Sequence, residues 1–448
     1  MSNHCFGSRL TSGFYCTRVS MRASHTGISR RIDSIVNGLP FAVLFTALLL
    51  IFPNAIAAGG KKPPSDEETL IFWHSVGTDN KETLADLIES YNTQNESMPV
   101  RGVFQGQEDD LYLKILSQEG SADIVEIPVQ YLAPLWSKGY VRRLDDLLDG
   151  KITDDIEPKF WDSVRIEGGV YAVPFYYSVN TLYVNEHILR TAGVRRTTGP
   201  RTWDDLHEIG TKIKENAPPR VPLFIPMEKS SDFITFVESY TGERLLNEER
   251  MEVYSPGAVR AMRFLQRAVY QDELMPSRLG TDEGVGLFLA GDLGIMIRPS
   301  SMLVYIESNL PYDMNIWHLP SWEKVGPSVF GKCLAVVRSD PKKEREAFRF
   351  IEWLVGYERA INWHTHTGSP AIRSSVKESL DLLIFYEENP NYMASTVEIE
   401  SGSVFRPSYD YFSVSGIIEH ALESIMVNGE DPEVVLKKAQ EEIDALPR

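Results

Sequence analysis

Cysteine is nearly missing: of three, Cys5 and Cys16 fall within the first 57 residues, and only Cys333 lies beyond them. One thiol cannot build a disulfide framework or a cysteine-based zinc site. Cys333 stands in the apolar run "CLAVV", which predicts an inert buried thiol. Positive charge is scarce as well, with 45 Lys and Arg against 63 Asp and Glu in the whole chain. A nucleic-acid backbone needs a cationic surface, and no Lys/Arg run with interleaved aromatics occurs, so nucleic acid is not expected as a partner. Catalytic signatures are lacking too. There is no GxSxG elbow, no GxxxxGK[ST] loop and no HExxH. "GTDEGVG" is an isolated glycine pattern, and "DDLLDGKITDD" lacks the alternating oxygen ligands of a calcium loop. Paired carboxylates are too common in so acidic a chain to single out, which leaves a glycosidase unsupported.

One uncharged stretch is long, Leu39 to Phe52, and it follows a leader carrying Arg9, Arg18, Arg22, Arg30 and Arg31. As a helix it spans about 21 Å, short of a hydrocarbon core of about 30 Å. Ala55-Ile56-Ala57 supplies a small-x-small cleavage site, so residues 1–57 read as a signal peptide and the chain as exported to the periplasm. Met21 is a second candidate start, and an uncleaved anchor is the alternative reading of the stretch. Removing residues 1–57 leaves 391 residues, with 40 basic and 62 acidic side chains. That length suits two lobes of ordinary size, each with its own core.

After a linker over residues 58–68, apolar strands alternate with amphipathic helices. "TLIFWHS" reads as a buried strand. In "KETLADLIESYNTQN", Leu84, Leu87, Ile88 and Tyr91 fall on one helical face. "VRGVFQG", "DDLYLKILSQEG", "ADIVEIP" and "VQYLAPLWSKG" continue as strand, helix, strand and helix. Such alternation builds sheets with parallel pairs covered on both faces. Later helices carry start signals: Thr202 with Asp205, Ser255-Pro256, Asp340-Pro341 and Asp431-Pro432.

The segment "INWHTHTGSPAI" poses a metal question. On a helix, residues two apart point away from one another, so His364 and His366 cannot chelate one ion. His366 and Gly368 read instead as a helix end, where an imidazole meets orphan carbonyls. Aromatic side chains cluster near predicted strand ends and loops: Trp73, Trp136, Trp161, Tyr176, Tyr177, Trp317 and Trp322. They offer either plain core or flat faces for a carbohydrate.

Four landmarks, in order, resemble the extracellular solute-binding proteins of ABC importers, of the maltose-binding and glycerol-3-phosphate-binding kind. They are "FWHSVGTDNKETLADLIESYN", "YAVPFYYSVNTLYVNEHILRTAGV" with "GPRTWDDL", "LFLAGDLGIMI", and "EWLVGYERAINWHTHTGSPAIRSS". The resemblance runs from about Leu70 to the C-terminus. It implies an α/β, two-lobed periplasmic binding protein fold of type II, each lobe a mixed, mainly parallel sheet flanked by helices, with crossover hinge strands between them. The expected lobes are 69–174 with 327–368, and 175–326 with 369–448. It also implies a monomer without cofactor, metal or enzymatic activity, which captures a small carbohydrate or polyol phosphate and delivers it to ABC permease membrane subunits. An exported glycosidase and a sugar sensor for a membrane receptor are the rival readings.

"WHS" and "WHTHTG" look closer to the glycerol-3-phosphate-binding branch. By that likeness Ser178, Ser300 or Ser301, Gly331 and Arg406 match ligand-contacting positions, Arg406 as the fork for an anionic group. Trp73 and His74 are expected at a strand's carboxyl end facing the cleft, and Glu126 as an acceptor for hydroxyls. Ser369 stands where that branch has tyrosine, and "FIPMEKSSDF" carries no counterpart of its tryptophan pair. Both departures suit a different polyol phosphate or an oligosaccharide.

Overall fold

The structure, a computed structural model, describes residues 68–446 apart from 78–79, 96–97, 118–120, 196–197, 247–249, 321–325 and 407–410. These fall in one compact unit, Pro63–Arg448. The expected leader, most of the linker and Trp322 lie outside the described residues. Among the described residues no helix is long and apolar enough to cross a membrane.

In chain order the strands are β1 (Leu70–His74), β2 (Val100–Phe104), β3 (Ile124–Pro128), a small hairpin of β4 (Arg165–Ile166) and β5 (Gly169–Val170), β6 (Val173–Ser178) and β7 (Asn180–Asn185). They continue with β8 (Val221–Phe224), β9 (Leu293–Pro299), β10 (Met314–Trp317), β11 (Ser328–Val336) and β12 (Ser403–Val404). The first sheet runs β12-β11-β3-β1-β2, with β6 also on β11, and the second runs β10-β7-β9-β8. Both are mixed. In the first, β1 pairs parallel with β2 and β3, and β12 with β11. The second holds one parallel pair, β8 with β9, because β7 enters it straight from β6 through Val179 and so runs against both its neighbours.

All five residues of β1 and of β3 are buried, as continuous apolar strands are when helices cover both faces. The helix Lys81–Gln94 buries the predicted face of Leu84, Leu87, Ile88 and Tyr91. Tyr91 meets Phe350 and Trp353 of the helix Pro341–Leu354 edge-on, with ring centroids 4.9 and 5.2 Å away. Helix starts fall where the cap signals place them. Thr202 and Asp205 exchange side-chain and backbone hydrogen bonds, and Asp340 and Asp431 accept from the amides two residues on. Each such cap satisfies donors that the helix itself leaves orphaned.

The histidine segment forms the helix Tyr357–Thr367, closed by Gly368 at φ 79°. Here the structure reassigns the cap. His366 is exposed and turns back to the carbonyl of Asn362, whereas buried His364 donates from Nδ1 to the carbonyl of Ser369 at 2.7 Å. The left-handed turn at Gly368 folds Ser369 over the last helical turn and brings that carbonyl within reach. Burial pushes the His364 imidazole down to about 4, against the pull of the Ser369 carbonyl. Among the described residues no group of three His, Cys, Asp or Glu is placed to hold a metal.

Candidate functional site

In sheets with parallel strands, ligand-contacting loops gather beyond the carboxyl ends of the strands. β1, β2 and β3 end at His74, Phe104 and Pro128, and β8 and β9 end at Phe224 and Pro299. The loops that follow these ends face one another. Asn80 donates from Nδ2 to the carbonyl of Ser301 at 3.4 Å, and Lys229 Nζ lies 3.9 Å from Asp109. Each contact joins an element of the first sheet's surroundings to one of the second's.

On the first side, Glu126 is fully buried at the middle of β3. Its carboxylate accepts from the Ser75 amide (2.9 Å), the Ser75 hydroxyl (3.0 Å) and the Tyr176 hydroxyl (3.1 Å). Lys332 stands 3.9 Å from Glu126 and pairs closely with Glu108. Burial, with Glu126 beside it, holds the Tyr176 phenol well above its ordinary value, so it stays a donor. Tyr176 also lies against Trp363, centroids 5.1 Å apart, and Trp363 against Phe175 at 4.8 Å. A polar knot of carboxylate, ammonium and hydroxyl thus sits against Tyr176, whose ring packs on the buried Trp363 and Phe175.

Ser178, Ser300, Ser301 and Gly331 gather at the crossing between the sheets. Ser178 ends β6 opposite Phe330, and Val179 then carries the chain across. Ser300 is buried at the end of β9; its amide donates to the Val179 carbonyl at 2.8 Å, and its hydroxyl accepts from the Val179 amide at 3.4 Å. That hydroxyl therefore staples the crossing. Gly331 has a packing reason to be glycine, because a Cβ there would stand 2.1 Å from the Tyr177 ring. Tyr177 is itself buried and hydrogen-bonded to the Ser163 hydroxyl.

Trp73, His74 and Arg406 lie apart from this cluster. Trp73 is part of the buried core of the first sheet. His74 turns toward Phe72 and Phe104 and lines an outer groove with Ile88, Asn92 and Gly102. Burial lowers its pKa, with Glu126 opposing, so it is neutral at pH 7. Arg406 is exposed and donates from Nη1 to the carbonyl of Asp162 at 2.6 Å. Cys333 is buried in β11, and burial raises its thiol far above neutrality, which leaves it unreactive.

Several residues of this surface carry no sequence signal. Lys332, Glu108, Asp109 and Lys229 look like ordinary surface charges until the fold brings them together. Asp232, beside Arg298, is pushed up to about 6 by burial, against the opposing pull of backbone donors and Arg298. It accepts from the amides of Glu228 and Lys229.

Two mixed α/β sheets, linked through a short buried crossing with their strand ends opposed, define a two-lobed binding protein. The chain belongs to the bacterial extracellular solute-binding protein family, whose sequence profile matches residues 86–394. It is 24% identical over 404 residues to an arabinooligosaccharide-binding protein of Halalkalibacterium halodurans, covering 84% of this chain and 89% of that one. With the sn-glycerol-3-phosphate-binding periplasmic protein UgpB of Escherichia coli it shares 22% over 421 residues, 85% of this chain and 92% of the other. The crystal structure of UgpB from Mycobacterium tuberculosis in complex with glycerophosphocholine superposes with a TM-score of 0.75 at 19% identity, covering 84% of this chain and 97% of that one. The first two are binding proteins by name, and the third holds its ligand in the crystal.

Proposed function

We propose that the chain is the solute-capturing component of an ABC importer, exported by its leader, which holds a carbohydrate or glycerol-3-phosphate-type ligand between two lobes and delivers it to the permease. The proposed lobes are residues 69–174 with 327–368, and 175–326 with 369–448, except that the end of β6 and β12 pair with β11 and so go with the first sheet. The observation that carries this reading is the opposition of the strand-end loops, with Glu126, Ser178, Ser300 and Ser301 collected where the chain crosses. Glu126 accepts ligand hydroxyls in exchange for those of Ser75 and Tyr176, and Ser178 donates. Ser300 and Ser301 stand at the far side of the same crossing. A solute touching both lobes has more contacts in the closed form than in the open one, and that difference in affinity shifts the population toward closure. No bond in the ligand is made or broken.

A thermal-shift screen with glycerol-3-phosphate, glycerophosphodiesters, maltose and trehalose tests this role. A ligand at a hundred times its Kd stabilises the folded state by about 2.7 kcal/mol and raises its melting point. At least one solute is expected to do so and to be recovered intact. Turnover of the solute, or indifference to every one, overturns the reading.

A further inference from the structure

β2 is the outer strand of the first sheet, with β1 on one side and, among the described residues, no strand on the other. It stands beyond β3 and β1 from β11, so its open edge is separate from the crossing. Along a strand the backbone groups of successive residues point to opposite edges. Toward β1, the Pro99 carbonyl accepts from the Leu70 amide at 2.8 Å, and the Gln105 amide donates to the His74 carbonyl at 3.0 Å. Val100, Gly102 and Phe104 therefore turn their amides and carbonyls to the open edge. At Val100 that edge is closed: the Asn92 side chain accepts from its amide at 2.8 Å and donates to its carbonyl at 2.9 Å, standing in for one residue of a neighbouring strand. Among the described residues nothing covers Gly102 or Phe104 in this way, and the Phe104 side chain is 54% exposed. An edge left open next to a large apolar side chain is a template for strand addition.

A groove of about 370 Å³ lies along this edge, between β2 and the helix Lys81–Gln94, with Leu84, Ala85 and Ile88 in its wall. Gly102 keeps it clear, because a Cβ there would stand 2.8 Å from the Ile88 side chain and 3.5 Å from His74 Nε2. His74 lines the groove with only 7% of its surface exposed, and its Nδ1 is buried without a hydrogen-bond partner. Positions 82, 86 and 89 share one helical face. The exposed carboxylates of Glu82, Asp86 and Glu89 thus run alongside the groove, against the single ammonium of Lys81.

We propose that this edge docks an extended peptide segment, added as a strand to β2, with an apolar side chain over Gly102 and basic residues two positions to either side. Its backbone pairs with Gly102 and Phe104, its apolar side chain enters the groove, and its basic side chains meet the helix carboxylates. The two basic positions stand about 13 Å apart on a strand, and Glu82 and Glu89 about 10 Å apart along the helix, within reach of long side chains. Fluorescence anisotropy of the purified protein with a labelled Thr-Lys-Thr-Val-Thr-Lys-Thr peptide, blocked at both ends, tests this. The peptide is expected to bind about tenfold or more tighter than its counterpart with Glu in place of Lys. Two N-methylated versions, one blocked at the valine and lysine amides and the other at the threonines, separate strand addition from side-chain contact: only one of them loses binding. Hydrogen exchange is expected to slow at the Gly102 and Phe104 amides when the peptide binds. Glu89→Lys weakens binding about tenfold and Glu89→Gln less, while the peptide controls need no altered protein. No binding, equal affinity for the lysine and glutamate peptides, indifference to both N-methylated versions, or unslowed exchange at Gly102 and Phe104 overturns the proposal. A dimer that protects those two amides without peptide makes a second copy the occupant and overturns it as well.

Discussion

His364 gives the fold an acid sensitivity that one substitution can isolate. The imidazole titrates near 6.5 when exposed and is held down to about 4 in the folded chain. Between those values the unfolded state binds the extra proton. Stability contributed by the neutral ring is complete above about pH 6.5 and is lost as pH falls toward 4, by about 3 kcal/mol in all. Urea midpoints measured at pH 7 and pH 4 check this: His364→Gln is expected to flatten the acid loss, and an equal loss in both proteins counts against it. Asp232 works in the opposite sense. Its raised carboxyl favours the folded state at low pH and withdraws that support as pH rises toward 6, so the comparison with His364→Gln is what separates the two. At this scale the sequence was legible for local chemistry and silent on distant pairing. A histidine cap near Gly368 could be read from "HTHTG", but the choice of His364 over His366 depended on where the Ser369 carbonyl lands. Glu126 can be read as a hydroxyl acceptor in the strand-like "ADIVEIP", whereas nothing local ties its neighbour Lys332 to Glu108 across more than two hundred residues of chain.

Elements carry the connection between the lobes. Glu238 is buried near the end of the helix Ser230–Thr241. It accepts from Arg244 Nη1 at 2.6 Å and from the Leu245 amide at 2.9 Å, and also from the hydroxyl of Ser328, the first residue of β11. One carboxylate thus ties a helix beside the second sheet to the strand that returns to the first. Glu238→Ala leaves the Leu245 amide and the Ser328 hydroxyl without their acceptor. It is expected to cost about 2 kcal/mol, with the part-exposed Arg244 recovering water. Urea unfolding reads the loss, and hydrogen exchange reads faster opening around Ser328. Wild-type protection there in the variant would deny this tie. Strands and helices were largely legible because their signals are local: an apolar run for β1, a capping pair at Thr202 and Asp205, and proline after Asp340. Sheet order was not, since the pairing of β11 with β3, β6 and β12 joins segments far apart in the chain.

For the molecule as a whole, the proposed capture of a solute rests on two mixed sheets joined by a buried crossing at Val179. The groove beside β2 was invisible in the sequence, because Leu84, Ile88 and Gly102 converge only once the helix Lys81–Gln94 lies against that strand. Closure is the property on which the functional reading depends, and small-angle X-ray scattering measures it directly. With and without a saturating solute that raises the melting point, the radius of gyration is expected to fall on binding, as the lobes move together over the ligand. A radius unchanged at full occupancy contradicts closure, and with it the mechanism of capture.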